Sequence, residues 1–397
     1  MLILLIQVSI ASVAPHLADS LTLDQARARA RDERPQMTVA SAIVERARGA
    51  ARVLTMIPNP TAQFESDRSA PTRKATVVQQ LSWLPRHAAD AAAGRYGIER
   101  SRADSVQTIA NIERDVAAAF FTALAAERQL GLAEEQRSLA DSLALVAARR
   151  AQAGEISDLE RDQIAQEAGR ARLASAQARE EKRIASAQFA RSVAWEKTMP
   201  PIPVGSLDAG LDAARARRGL SGLDALPSIR AAVADSAAAA ARLRSAQIAR
   251  VPIPGVLAAR EWGGGADVPR NTILGLSMPL PLWSWGGEAV AVARGEAREQ
   301  AALAAEARLT VDAELKSAEA RVEERSSRAL FARDSLLPQA QRLRAGAVRL
   351  YEEGQTSVLP VLDALRAERD VTRAAVAELL AFQTARADLA ALIGRLP

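Results

Sequence analysis

AQAGEISDLERDQIAQEAGR (Ala151–Arg170) and YEEGQTSVLPVLDALRAERD (Tyr351–Asp370) write one pattern twice. Each has a glycine, Gly154 or Gly354, then a serine at Ser157 or Ser357, then a leucine at Leu159 or Leu359, and the two glycines stand 200 positions apart. A glycine that closes one helical run and a serine that opens the next is the signature of a tight helix-to-helix turn. Both stretches therefore read as the bends of helical hairpins, and the chain as one unit repeated.

Working outward from the first bend, His87 to Gln152 runs without proline in a composition suited to helix, and a second helix is expected from Ser157 to Lys197. At 1.5 Å per residue the first would be roughly 100 Å long. The second half repeats the order, with a long helix from Gly287 to Glu353, interrupted at Pro338, and a last one from Ser357 to Ile393. Ahead of each long helix stand two extended segments: TAQFESD and KATVVQQLSWL, joined by RSAPTR, then GVLAAREW and NTILGLSMPLPLW, joined by GGGADVPR. Ahead of those come shorter helices, Gln36 to Met56 and its counterpart after Pro227; Pro35 to Pro60 and Pro227 to Pro252 are equally spaced. Thr22 followed by Gln25 predicts a capping box at the first helix. The expected fold is mainly α with a small β part. The domain reading is a first repeat over 19–205 (strand hairpin 60–84, helical hairpin 87–197) and a second over 206–397 (strand hairpin 255–283, helical hairpin 287–394), parted by the proline cluster MPPIPVG.

Composition narrows the function. Aromatic residues are only 3% of the 397, while 25% are charged. That suits long helices with thin seams, such as Val358, Val361, Leu362 and Leu365 at i, i+3, i+4, i+7. The net charge of +5 is spread as interleaved Arg and Glu, which reads as solvated helix faces and not as a nucleic-acid surface. With no Cys and only two His, His16 and His87, the chain has no cluster for metal or nucleophilic chemistry, so no cofactor, no metal site and no enzymatic activity are expected. His87 with Asp90 is an incidental pair, and WGGGAD a turn, not a phosphate loop. Residues 1–18 have the apolar core and small-residue end of a signal peptide, with Ala18 as the cleavage position. No other run reaches the ~18 apolar residues of a membrane helix, so membrane contact must come from strands or a surface. Four strands cannot close a membrane barrel, but three chains would supply twelve. Four of the five Trp, Trp83, Trp262, Trp283 and Trp285, fall in the strand segments, where an interfacial girdle would hold them.

The LTLDQA opening, IPNP before the first hairpin, LSMPLPLW at the end of the second and YEEGQTSVLPVLDALR with its echo together resemble the TolC-like outer-membrane efflux proteins. The resemblance implies a homotrimer with a twelve-stranded outer-membrane barrel continued by a periplasmic α-helical tunnel. It also implies a passive exit duct served by a periplasmic adaptor and an inner-membrane transporter. The turns Gly154, Glu155, Ile156, Ser157 and Gly354, Gln355, Thr356, Ser357 would form the inner tip where the adaptor docks. Tyr351, Asp363 and Glu160 would stand at the gate, while Pro360 and Thr356 replace an acidic residue and an arginine of the family pattern. The short chain is similar to the heavy-metal efflux branch, although two histidines and no cysteine give no metal signature. The alternative from the residues alone is a periplasmic adaptor or a structural coiled coil, for which a single helical hairpin flanked by β-rich segments is expected.

Overall fold

A computed structural model describes residues 20–66, 72–212, 222–263 and 270–394. The expected signal segment with Ala18, and most of the two strand-hairpin turns, lie outside these. The chain is mainly helical with a small sheet. After β1 (Ser20–Leu21) come α1 (Leu23–Glu33), α2 (Pro35–Thr55), β2 (Thr61–Ser66), β3 (Thr72–Gln79), α3 (His87–Gln152) and α4 (Asp158–Ser192). β4 (Ile202–Pro203) pairs in parallel with β1. Then α5 (Pro227–Ile248), β5 (Gly255–Gly263), β6 (Asn271–Ser277), α6 (Gly287–Phe331), α7 (Leu337–Glu352) and α8 (Val358–Ile393) repeat the succession.

The local signals explain most boundaries. Thr22 and Gln25 form the expected capping box, Thr22 N–H donating to Gln25 Oε1 at 2.9 Å and Gln25 N–H to Thr22 Oγ1 at 3.4 Å. The break between α1 and α2 falls at Pro35, which opens α2 at its first position, where the missing N–H would have had no partner anyway. α4 stops at Ser192, short of Lys197, because Ala194 takes a left-handed φ of 49° and Trp195 N–H reaches back to Ala190 O at 2.9 Å. The expected interruption at Pro338 is a π-turn at Ala332–Leu336, from which the Leu337 N–H bonds Ala332 O. Pro338 sits in the first turn of α7, where the ladder has already been opened for it.

The helices stand side by side as a wall. α2 and α4 pack along α3 on one flank, α5 and α8 on the other, and α6 with α7 lies beyond α5 and α8. Most of the buried side chains are alanine, so the seams are thin and the helices close. At Gly94 a Cβ would fall 2.9 Å from Ala51 Cβ, which is why α2 and α3 can approach there only over glycine. One thicker knot lies part-way down, where Phe120, Phe121 and Phe189 meet edge to face at 5.3 and 5.6 Å between centroids and α1 lays Ala26 and Ala30 against them. The segment after β4 crosses α8 here: Gln383, fully buried, donates to Leu207 O at 2.7 Å and Ala209 O at 2.9 Å. No helix among the described residues is long and apolar enough to cross a membrane.

Both strand pairs join in one antiparallel sheet, in the order β2-β3-β5-β6, with β2 and β6 as open edges. β3 and β6 stop short of their sequence segments. β6 ends at Ser277 because Pro279 and Pro281 have no N–H for a ladder, and β3 ends at Gln79 ahead of a turn in which Leu84 N–H bonds Leu81 O. Three of the four tryptophans expected in strands are therefore outside them: Trp83, Trp283 and Trp285 lie where the sheet gives way to the helices, and only Trp262 is in a strand.

Candidate functional site

The two helical bends are built alike. Gly154 and Gly354 take φ of 75° and 71°, the left-handed conformation that glycine reaches at no steric cost. In the first, Glu155 N–H bonds Arg150 O at 2.9 Å and Gly154 N–H bonds Ala151 O at 3.0 Å; in the second, Gln355 N–H bonds Leu350 O at 2.9 Å and Gly354 N–H bonds Tyr351 O at 3.1 Å. They part company at the next helix start. Ser157 caps α4 in a full capping box with Glu160, while Ser357 caps α8 with no side-chain bond, because Pro360 offers neither an N–H nor a carboxylate. Ile156 packs against the cluster of Ala147, Ile164, Tyr351, Val358 and Leu362 that joins the two bends, while Glu155, Ser157, Gln355 and Ser357 are exposed and Thr356 is half-buried.

At the other end, the sheet has two unlike faces. The register puts Phe64, Ala75, Val77, Val256, Ala258, Leu274 and Leu276 on one side, and all of these but Ala75 are exposed. Gln63, Glu65, Lys74, Thr76, Glu261 and Asn271 share the other with Val78, Leu257, Ala259 and Ile273, and Thr76 and Ala259 are buried there. Phe64, Leu274 and Leu276 are each more than 70% exposed in one chain. β5 has nine residues, which span about 30 Å along the strand and roughly 23 Å in height at a barrel tilt of about 40°. Trp262 stands near its loop end; Trp283, 95% exposed, Trp285 and Trp83 stand beyond the helix end of the sheet. The tryptophans thus bracket an apolar band close to the ~25 Å of membrane barrels.

No protein-family model and no curated protein sequence matches the chain. Its fold does match solved structures along nearly its whole length. CusC, a transmembrane channel, superposes with a TM-score of 0.79 at 16% identity over 94% of this chain and 92% of its own. The outer membrane protein VceC of Vibrio cholerae gives 0.77 at 17% identity over 94% and 96%. The MtrE outer membrane channel of Neisseria gonorrhoeae, solved in its open state, gives 0.74 at 17% over 94% and 89%. The chain has the TolC-like outer-membrane-channel fold.

Within the channel fold the three expected gate residues have different surroundings. Tyr351 is 6% exposed, with its hydroxyl buried and unbonded and the Arg150 guanidinium 5.2 Å above its ring. Glu160 spends its carboxylate on the cap of α4. Asp363 is open to solvent, its side chain 65% exposed, and touches Arg366 at 3.4 Å. Two features escaped the sequence. Arg150 comes from the first bend to stack on the tyrosine of the second, and lies 3.8 Å from Glu155, so an arginine is present after all, four residues before Gly154. Glu167, with a side chain 6% exposed, receives Arg369 Nη1 at 2.9 Å and Arg366 Nε at 3.1 Å from α8, with Arg170 of its own helix at 3.5 Å. The signal was a carboxylate in the apolar stripe Ile164, Ala168, Ala171: a charge buried on a seam implies a partner across it.

Farther from the bends a cavity of about 690 Å³ lies between α3, α7 and α8, with Leu132, Leu139 and Leu337 on its walls and Glu135, Arg344 and Glu368 among its polar groups. Burial pushes the Glu368 carboxyl above the usual range against the pull of Arg344, 3.0 Å away, and Glu135 adds to the rise. His87 and Asp90 do not act together: His87 meets the Trp83 ring at 6.0 Å, while Asp90 accepts from Ser245 Oγ at 2.5 Å.

Proposed function

We propose that three copies of this chain close a twelve-stranded barrel in the outer membrane of a Gram-negative bacterium and extend a helical tunnel into the periplasm. The assembly is a passive exit duct of a tripartite efflux system. The observation that carries this reading is the sheet. It leaves two edges unpaired at β2 and β6, and one of its faces exposes Phe64, Val77, Val256, Ala258, Leu274 and Leu276, an apolar surface of the kind a membrane barrel turns to lipid. Edge-to-edge joining of β6 to a neighbour's β2 satisfies both edges at once, and only a closed ring leaves none over. Trp83, Trp262, Trp283 and Trp285 are the interfacial aromatics against outer-membrane lipid. The bends at Gly154 to Ser157 and Gly354 to Ser357 receive the periplasmic adaptor, which couples the duct to its inner-membrane transporter. Leu159 and Leu359, exposed at matching positions of the two bends, offer the adaptor an apolar contact.

Tyr351, Asp363 and Glu160 belong to the gate in different ways. Tyr351 and Glu160 hold the bends in shape, and Asp363, solvent-exposed beside Arg366, contributes three carboxylates per trimer at the narrow mouth, where they favour cations. Membrane fractionation and sizing in mild detergent test the assembly. Recovery as a soluble monomer would sink the duct and return the adaptor or coiled-coil reading. Planar bilayers test the mouth: Asp363→Ala is expected to lower cation preference, and unchanged selectivity and conductance would leave Asp363 as scaffold.

A further inference from the structure

The apolar face of the sheet carries two charges and no acid. The register sets Arg73 opposite Trp262 and Arg260 opposite Ala75, so both arginines lie on the side of Phe64 and Leu274. Both are exposed, and among the described residues neither has a carboxylate partner on this face. The opposite face treats its charges differently, since Lys74 stands in register between Glu65 and Glu261. Position along the strands is as telling as side. Arg73 is the second residue of β3, and Arg260 lies three residues before the end of β5, so both sit at the loop end, level with Trp262 and away from the helices.

A cation on a lipid-facing strand is costly at the middle of the bilayer and nearly free at headgroup depth. The loop end is therefore where this face can hold arginine, and what surrounds it there is phosphate. Diagonal neighbours on adjacent strands have Cα atoms roughly 7–8 Å apart, close enough for two guanidinium forks to converge on one phosphate. Arginine suits that geometry better than lysine, because its planar fork meets two oxygens at once. Trp262, beside Arg73, supplies an apolar shelf at the same depth.

We infer that Arg73 and Arg260 clamp the phosphate of a glycolipid headgroup in the outer leaflet, one clamp per chain. The inference rests on the barrel reading above and adds a ligand to it. A soluble anion is the poorer fit, because Trp262, Ala75 and Phe64 stand next to the two arginines on this face, with only Ser66 and Thr272 polar beside them, and only a phosphate borne on a lipid brings matching acyl surface with it.

The test uses the trimer in phosphatidylcholine nanodiscs doped with diphosphoryl lipid A, or with the same lipid after removal of both phosphates, and counts retained glycolipid by native mass spectrometry. The wild type is expected to hold diphosphoryl lipid A, with retention falling on the order of tenfold or more for the dephosphorylated lipid and for the Arg73→Gln, Arg260→Gln double variant. Excess inorganic phosphate should not displace it. Equal retention of the dephosphorylated lipid by the wild type overturns the clamp without recourse to any variant, as does full retention by the double variant. Displacement by inorganic phosphate overturns the commitment to a lipid. A wild-type chain that never enters the nanodisc as a trimer overturns the barrel reading itself, whereas a trimer that inserts normally and ignores the phosphates overturns the clamp alone.

Discussion

Replacing Glu167 by Gln keeps the shape of the side chain and removes the carboxylate that, among the described residues, ties α4 to α8. Each Glu167 oxygen takes a guanidinium from α8, at 2.9 Å from Arg369 and 3.1 Å from Arg366. The glutamate side chain is 6% exposed, but the arginines are 25% and 35% exposed, so water partly answers for them when the carboxylate goes. Breaking a fully buried pair costs roughly 3–5 kcal/mol and an exposed one about 0–1 kcal/mol. This half-shielded link falls between, at about 2 kcal/mol. With the link taken as a tie that holds the gate shut and is absent when it opens, its loss shifts the shut-to-open ratio by roughly thirtyfold at ~1.4 kcal/mol per decade. Single-channel recording should therefore show Glu167→Gln trimers conducting for a far larger share of the time at rest. A double-mutant cycle with Arg369→Gln should give a coupling of about 1 kcal/mol or more. Arg170→Gln, which removes a partner within α4 and not across to α8, should leave resting conductance alone. A Glu167→Gln trimer that melts earlier but stays as shut as the wild type would refute the reasoning, for the link would then be scaffold in both states.

Three further outcomes follow from geometry already described. Gly154→Ala and Gly354→Ala each place a Cβ in left-handed backbone and should cost about 1–2 kcal/mol in urea unfolding, whereas Gly97→Ala, in open space within α3, should gain up to about 1 kcal/mol; equal effects at all three would discredit the turn argument. Pro360→Glu should complete a capping box on α8 and add about 1 kcal/mol, and a loss instead would mean that Pro360 has a packing duty the bend does not reveal. Because its folded carboxyl is raised, Glu368 contributes stability that is present in acid and lost as pH rises through the folded value; Glu368→Gln should therefore be the more stable protein at pH 7, by a margin that closes on acidification through the carboxylate range. A less stable Glu368→Gln at neutral pH would show that the Arg344 contact outweighs burial.

Much of the fold was legible because its signals are local. The glycine bends, the Thr22 cap and the proline spacing each act within a few residues, and α3 runs over the very residues its composition marks out, His87 to Gln152. The strand ends were overread because an apolar, tryptophan-rich segment such as MPLPLW looks extended, while whether it joins a ladder depends on N–H groups that Pro279 and Pro281 lack. The site was less legible for a different reason. Arg150 and Tyr351 are 201 residues apart in sequence and meet only because two bends pack together, and Glu167 finds Arg366 and Arg369 the same way. Glu160, which the family resemblance places at the gate, also caps α4 through its carboxylate.

The π-turn at Ala332–Leu336 bears on symmetry. From Gly287 to Glu352 the second rod spans as many residues as the 66 of α3, but a π-turn carries one extra residue per turn and so rotates everything beyond it by about 100°. Two stretches that share their glycine, serine and leucine spacing are thus presented on differently phased shafts. A ring of three such chains looks sixfold when its sequence is written out and is threefold in what it shows to a binding partner. Any molecule that grips the ends of these rods meets two kinds of grip in alternation, and a residue copied from one half to the other would arrive facing a different neighbour.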